Sequence, residues 1–510
     1  MANSKKKVLV LGGGIAGLTA ANALRERGIA VLVIEKSPRC GGAVRTVERD
    51  GFLSEGGPQT FLVEDKILFE FLRETGALDR AIDASPSVKK RFIVRGGKPL
   101  VVPMSLSAAI STPLFSFFGK MRLLGEIFVP AAGRDVAESV ADFVRRRVGE
   151  EFYDYALNPL TAGIFAGDPE KLAVRYAFPK VWNLEQRYGS LIRGTIPNAR
   201  AKRESGRFEK KRTLSFPHGM ETLPKLLRAR LDPTAVRTNS ELTDLARERC
   251  GWRARWRNRS AVCTFFEEDD FFDALVVTTP PRTWNEIPFT DAIAPTAEAA
   301  ASPSAVSAAV SGAGAGVSAT KKARSAAATL RRLFAAFPPL TVPPVTMLTL
   351  GFRREDVAHP LDGFGMLVPE KEHRKILGTL FTSSLFPRRA PEGCVTLSTY
   401  LGGARQPEIA ALDAEAQRAL VLDELRELLG VRGEPVFMER TENPHAIPQY
   451  ELGYEKFLAA AEKIESAFPL FFAGNFRGGI SVAQTMISAL GTAARTADFL
   501  ENSELRHDAH

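Results

Sequence analysis

The stretch VLVLGGGIAGLTAANALRERG, Val8 to Gly28, constrains the fold of this chain more than any other. Val8 to Leu11 is a short apolar run ending in glycines, Ile15 to Arg27 has helical periodicity, and Ala30 to Ile34 is a second β-branched run. Together they predict a βαβ unit. Gly12, Gly14 and Gly17 fall at the strand–helix turn in the pattern G-x-G-x-x-G. Gly12 allows the tight turn, Gly14 lets the backbone approach a pyrophosphate, and Gly17 lets helix and strand pack closely; the helix start aims free N–H groups at the negative charge. Alone, the pattern also suits a purely structural turn. Glu35, at the end of the second run, stands where an acid accepts hydrogen bonds from ribose hydroxyls, and its presence predicts a bound dinucleotide.

At 510 residues the chain is too long for one core, so two or three domains are expected. Cys40, Cys250, Cys263 and Cys394 are too scattered for a disulfide framework, which points to a reducing compartment. The six histidines form no cluster at ligand spacing, so no metal is expected. The opening MANSKKK has no apolar core or cleavage site, which argues against a secretory signal. The net charge of +9 is spread along the chain, so nucleic acid is not an expected partner. Its densest run, Arg200 to Arg212, is interleaved with acids and reads as a solvated loop.

The C-terminal region returns to the style of the first. LFFAGNF reads as a buried strand meeting a glycine turn, and GISVAQTMISALGTAARTADFL has the spacing of a long helix, so both ends are expected in one domain. Between Lys98 and Lys120 lie 21 uncharged residues, about the length of a spanning helix, but Pro99, Pro103 and Pro113 each break one. The segment is expected to form a hydrophobic lip on a membrane or at a pocket mouth, or else a piece of core. Asp291 to Leu330 is dominated by Ala, Ser and Gly, which bury too little area to offset ordering, and its centre is expected to be a flexible insert without chemistry.

After Glu35, EKSPRCGGAVRT supplies the glycine pair Gly41 and Gly42, and DGFLSEGGPQTF brings Gly56, Gly57 and Pro58. This succession, with the C-terminal FAGNFRGGISVAQTMISAL, resembles the amine-oxidase-like flavoproteins and implies FAD rather than NAD. RFIVRGGKPLVVP, NPLTAGIFAGDPEKLAVRYAFPKVWNLEQRYGSLIRG, SFPHGMETLPKLL, DGFGMLVPEKE, ILGTLFTSSLFP and NPHAIPQYELGY follow in the order of an oxygen-dependent protoporphyrinogen oxidase. The resemblance covers nearly the whole chain apart from 291–330 and the last few residues, and is to the type shared by plants and some bacteria. It implies an α/β (α+β) chain with a Rossmann-like FAD-binding domain, a mixed-sheet substrate domain and a helical, membrane-associating insertion. The FAD-binding domain would comprise 1–87, 213–285 and 436–510, the helical domain 88–212, and the substrate domain 286–435.

Residue by residue, the resemblance places FAD contacts on Gly12, Gly13, Gly14, Ile15, Ala16 and Gly17, on Glu35 and Lys36, and on Gly42 and Ala43. Further contacts fall on Gly57, Pro58, Gln59 and Thr60, on Leu242 in an expected strand that presents a backbone amide to adenine, on Asn475, and on Ile480, Ser481 and Val482. Arg91 falls where the family has a cation facing a propionate, Gly163 where a backbone carbonyl approaches the macrocycle, and Phe364, Leu367, Leu380 and Tyr400 where apolar side chains sandwich it. Tyr400 departs from the family, which more often has an apolar residue there. Without the resemblance these last four would read as core.

The implied reaction is the oxidation of protoporphyrinogen IX to protoporphyrin IX, with O₂ as acceptor and H₂O₂ as product, the penultimate step of heme and chlorophyll biosynthesis. No catalytic side chain is implied, because the flavin performs the chemistry. The implied partners are the tetrapyrrole, O₂, a membrane surface, a second copy in a homodimer and a chelatase receiving the product. The implied location is cytoplasmic, peripheral on the inner face of the cell membrane. Two alternatives stay open: oxidation of coproporphyrinogen III to coproporphyrin III, and a flavin-free binding protein on the same scaffold.

Overall fold

The computed structural model describes residues 5–103, 106–194, 211–248, 250–259, 265–293 and 316–507. Strand β1 (Lys7–Leu11), helix α1 (Ile15–Glu26) and strand β2 (Ala30–Ile34) form the βαβ unit. The strands belong to a five-stranded parallel sheet in the order Val236–Arg237, β2, β1, Ala274–Val277, Leu470–Phe472. Their continuous apolar runs suit a sheet covered on both faces. Leu11 lies opposite Ile34 and Val277, and Val277 opposite Phe472, so the strands end together and open a crevice beyond their carboxyl ends. The closing helix Val482–His507 buries Ala489, Ala493, Ala497 and Leu500 in the core that also holds α1, a stripe at helical spacing. The two ends of the chain thus share one core.

A second, seven-stranded mixed sheet has the order Phe437–Asn443, Val345–Arg353, Cys394–Gly402, Gly378–Leu380, Gly363–Leu367, Lys90–Arg95, Lys98–Val101. The expected boundaries at 88 and 436 do not coincide with it. Lys90–Arg95 pairs in parallel with Gly363–Leu367, and Phe437–Asn443 pairs antiparallel with Val345–Arg353. These pairings join segments far apart in the chain and leave no local periodicity to read. The Ser54 hydroxyl, on Phe52–Glu55 of a two-stranded sheet with Thr46–Arg49, is 2.9 Å from that of Thr349 in the seven-stranded sheet.

Between the sheets' contributions lies a helical region. Arg147 and Glu126 pair with no exposed side-chain surface, and Glu185 lies 3.3 Å from Arg147. Glu126 also accepts from the Ser190 hydroxyl at 2.6 Å and from the amides of Leu191 and Ile192. Charges buried this deeply persist only when paired and hydrogen-bonded, as these are. The interval after Lys98 is broken as its prolines require, into the strand Lys98–Val101 and the helices Leu106–Ser111 and Phe117–Leu124. Phe117, Phe118 and Phe128 are 70, 82 and 79% exposed, with Met121 and Leu124 beside them in sequence also exposed. No helix among the described residues is long and apolar enough to cross a membrane.

The Ala/Ser/Gly stretch is only partly described. Residues 294–315, the centre of the Ala/Ser/Gly stretch, lie outside the described residues, as does most of the basic run 200–212. From Gly316 to Ala335, however, the chain is a helix that buries Ala327, Leu330 and Phe334. Alanine is the best helix former, and the aromatic residues beyond 330 supply the burial that Ala, Ser and Gly lack. Phe334 packs among Trp284, Phe289, Phe337 and Phe472, at ring separations of 5.0 to 6.2 Å. Phe334→Ala is expected to cost about 3–5 kcal/mol, read as a clear fall in the thermal midpoint of the flavin-loaded protein. An unchanged midpoint would separate this helix from the core.

Candidate cofactor and substrate site

The turn after β1 is too tight for side chains. Gly12 has φ +103°, and a Cβ on Gly17 would lie 1.9 Å from the Gly12 carbonyl oxygen. At Gly14 a Cβ would meet nothing within 4 Å, so the backbone there faces open space. Helix α1 begins at Ile15 with no side-chain cap on Gly14, leaving the first N–H groups, on Ile15, Ala16 and Gly17, to serve an anion. The Gly13 amide donates to Glu35 Oε2 at 2.6 Å and the Ser37 amide to Oε1 at 2.8 Å, which hold the carboxylate beside the loop. The second glycine pair comes to the same place. Gly41 donates to the Gly13 carbonyl at 2.8 Å and bridges Gly14, and a Cβ on Gly42 would touch the Gly14 Cα at 3.4 Å. Lys36 turns its ammonium to Glu241, 2.7 Å away.

The later expected contacts extend this surface. Gly57 packs so closely that a Cβ would lie 2.5 Å from the Ala43 carbonyl oxygen. Pro58 and Thr60 are half-buried beside it, and buried Gln59 donates to Met347 Sδ at 3.1 Å. Leu242 lies at a bulge where the ladder with Trp252–Arg259 skips Thr243, and the Ser240 amide donates to the Glu35 carbonyl, so this strand abuts the Glu35 end of the loop. Asn475 and Ile480 are half-buried, Ser481 is exposed and caps the closing helix through Gln484, and Val482 is buried. Tyr450 was not singled out from the sequence, although it lies in NPHAIPQYELGY. Its hydroxyl donates to the Asn475 carbonyl at 2.6 Å and accepts from the Gly479 amide at 3.0 Å, pinning both sides of this loop.

The residues expected around the substrate converge on one sheet. Arg91 is exposed, and its guanidinium stands 5.4 Å from the Phe364 ring centroid. A bulge between Gly363 and Met366 breaks strict alternation, and Phe364 and Leu367, three apart, are both half-buried. Gly163, on the helix Asn158–Phe165, faces Leu367, and a Cβ there would lie 2.5 Å from Leu367 Cδ2. Leu380 lies opposite Gly365, and Tyr400 lies opposite Gly378 and Met347. Burial holds the Tyr400 hydroxyl above the usual tyrosine range, while a hydrogen bond with Gln59 opposes that shift. Tyr400 thereby connects the apolar sheet to the Gly57–Thr60 segment.

A family model described as flavin containing amine oxidoreductase matches residues 15–312 and 303–498. The chain belongs to that family. Protoporphyrinogen oxidase, mitochondrial, from Nicotiana tabacum is 31% identical over 98% of this chain and 96% of its own length. Coproporphyrinogen III oxidase from Bacillus subtilis (strain 168) is 27% identical over 92% of this chain and 93% of its own. A crystal structure from Exiguobacterium sp. 255-15 matches with a TM-score of 0.71 at 20% identity, over 96% of this chain and 98% of that one, a likeness of fold. In this flavin amine oxidoreductase the paired glycine cradle and Glu35 fit a dinucleotide, and the flavin is accordingly FAD. Among the described residues no group of three or more His, Cys, Asp or Glu is placed to hold a metal ion.

Beneath the Gly56–Gly57 turn of the flavin oxidoreductase lies a buried carboxyl that sequence reasoning passed over. Glu55 accepts from the Thr46 hydroxyl at 2.6 Å and the Met220 amide at 2.9 Å, and lies 3.7 Å from Arg389, itself 2% exposed. Arg389 donates to Ser215 and the Phe216 carbonyl rather than closing on the acid. Burial pushes the Glu55 carboxyl up to about 7 despite those donors, and burial also lowers the Arg389 guanidinium. A carboxyl raised on folding stabilises the protein fully below its ordinary value of 4.5, and that contribution is lost as pH rises through about 7. Glu55→Gln removes this dependence. Across that window the variant should gain on the order of 3 kcal/mol relative to the natural protein, seen as converging or crossing thermal midpoints; midpoints that run parallel would contradict it.

Proposed function

We propose that the protein oxidises protoporphyrinogen IX to protoporphyrin IX, passing electrons to O₂ and releasing H₂O₂. The observation that carries this reading is the exposed Arg91 guanidinium at the edge of an apolar sheet face that continues, through Tyr400 and Gln59, into the FAD loops. A flat apolar macrocycle with carboxylate arms matches such a face, and the full-length similarity to the Nicotiana tabacum protein supports it.

Bound FAD supplies the electron acceptor for removal of hydrogens from the reduced macrocycle. The chain's part is to bind and orient. Arg91 forks onto a propionate with two charge-assisted hydrogen bonds. Phe364, Leu367 and Leu380 present apolar surface that excludes water from the macrocycle, and the absence of a Cβ on Gly163 allows the helix backbone to approach it. Tyr400, kept protonated, holds Gln59 in place under the substrate. No side chain is required as a general base; orientation is the protein's contribution.

The similarity to the Bacillus subtilis enzyme supports coproporphyrinogen III as the second reading. A fluorescence assay offering both porphyrinogens, with and without O₂, should show the higher kcat/KM on protoporphyrinogen and turnover only with O₂. Preference for coproporphyrinogen transfers the reading to that substrate, and a colourless protein that takes up no FAD ends both. Arg91→Ala should mainly raise KM, by the equivalent of about 1–3 kcal/mol; unchanged kinetics on the natural substrate would remove its role.

The same reading includes peripheral attachment to the inner face of the cell membrane through the Phe117, Phe118 and Phe128 lip. The core under the lip joins Leu114 and Phe115 to Leu367, so a membrane-dissolved substrate would enter beside the macrocycle face. Sedimentation with anionic vesicles checks this. A Phe117→Ser, Phe118→Ser variant should bind several-fold less, and equal binding would place the contact elsewhere.

A further inference from the structure

Residues 447–454 hold two parts of the site at once. Gln449 and Tyr450 are each 1% exposed, and Tyr454 is buried beside them. The Tyr450 hydroxyl, which bridges the Asn475 carbonyl and the Gly479 amide, belongs to a ring stacked on Tyr454, the centroids 4.4 Å apart and the planes 18° from parallel. Tyr454 adds a third bond to the same loop, its hydroxyl donating to the Phe476 carbonyl at 2.5 Å. Burial raises both hydroxyls above the usual tyrosine range, so each stays protonated and able to donate at neutral pH.

One residue earlier, Gln449 serves the other part. Its Nε2 donates to the Phe165 carbonyl at 2.9 Å and to the Ile447 carbonyl at 2.8 Å. Phe165 is the last residue of the helix that carries Gly163, and its carbonyl is one of those a helix end leaves without a partner. The chain leaves that helix through Ala166 at φ 48°, and a Cβ on Gly167 would lie 2.2 Å from Gln449 Oε1. Oε1 is itself buried with no hydrogen-bond partner among the described residues. An unmatched buried oxygen is unfavourable, so what this glutamine contributes is its two N–H bonds and its fit against Gly167. The other end of the helix is fixed separately, by Arg405 donating to Asn158 Oδ1 at 2.9 Å.

We propose that Gln449 and Tyr450 are positioning residues that set the spacing between the loop of Asn475 and Gly479 and the Gly163 helix, and so the register of the macrocycle against FAD. A single planar peptide unit joins the two anchors, so a shift of the loop is passed to the helix rather than absorbed. Backbone bonds fix the pair in the fold: the Gln449 amide donates to the Thr341 carbonyl at 2.9 Å, and the Ala173 amide to the Tyr450 carbonyl at 2.8 Å. Removal of hydrogens depends on such register, and a misplacement of about 1 Å costs on the order of a hundredfold in rate. The identity of the macrocycle rests on the proposed function; the hold on the FAD loop does not.

The test uses the FAD-loaded full chain, with FAD release on dilution read by flavin fluorescence and the bound flavin by its visible absorbance. Tyr450→Phe keeps the ring stack and deletes only the hydroxyl; its FAD dissociation constant should rise about tenfold, with a changed visible band. Tyr454→Phe should move both in the same direction, and it carries this arm if Tyr450→Phe yields no folded protein. Gln449→Met keeps the length of the side chain without its N–H groups. It should hold FAD as the natural protein does, yet lower kcat about tenfold on whichever porphyrinogen is turned over, with KM within about twofold. Natural FAD affinity in both tyrosine variants, or an unchanged kcat in Gln449→Met, overturns the positioning role. If the natural protein oxidises neither porphyrinogen, the proposed function alone falls, and FAD release decides the role of Tyr450.

Discussion

The contact between Gly13 and Glu35 organises the rest of the molecule. A 2.6 Å hydrogen bond from a loop amide to a carboxylate at the end of the neighbouring strand sets the mouth of the parallel sheet. It is possible only because α1 approaches so closely that Gly17 nearly touches the Gly12 carbonyl. The second glycine pair then docks on the first through Gly13 and Gly14, and the strand carrying Leu242 docks on the Glu35 backbone. Three segments from distant parts of the chain thus share one cradle, built mostly from backbone groups.

From that cradle the Ser54–Thr60 segment extends along the seven-stranded sheet. Ser54 meets Thr349, Gln59 meets Met347 and Tyr400, and Glu55 lies under the turn between them. Each polar group here is deeply buried, so its partners determine its state. Glu126 and Arg147 answer burial by pairing closely, whereas Glu55 and Arg389 stand 3.7 Å apart and are both driven toward neutrality. The difference is geometric: Arg389 turns Nη2 to Ser215 and the Phe216 carbonyl, and its buried Nη1 has no hydrogen-bond partner among the described residues.

The legible parts of the sequence were those where one local rule suffices. The βαβ unit, the two glycine sets, the closing helix and the proline-broken interval each follow from spacing within about twenty residues. The residues proposed to face the macrocycle were legible only through a family resemblance, because Phe364, Leu367, Leu380 and Tyr400 have the composition of any buried strand. Tyr450 and Glu55 carried no local signal; Tyr450 bonds Asn475, 25 residues on, and Glu55 bonds Met220, 165 residues on. The helix Gly316–Ala335 was hidden for the opposite reason. Its alanines look like low complexity until Phe334 finds a cluster made by Trp284 and Phe472.

By itself, the sequence determined that a phosphate-bearing dinucleotide rests at a strand–helix turn, because only glycine permits that backbone and only an acid at Glu35 completes it. Tertiary structure alone decided that Arg91 stands over Phe364, that Gly163 faces Leu367, and that one sheet draws strands from residues 90–101 and 437–443. The physical reason is the range of the interactions. Backbone conformation is chosen residue by residue, whereas sheet order and the pairing of buried polar groups are chosen by surfaces that meet only when the whole chain has closed.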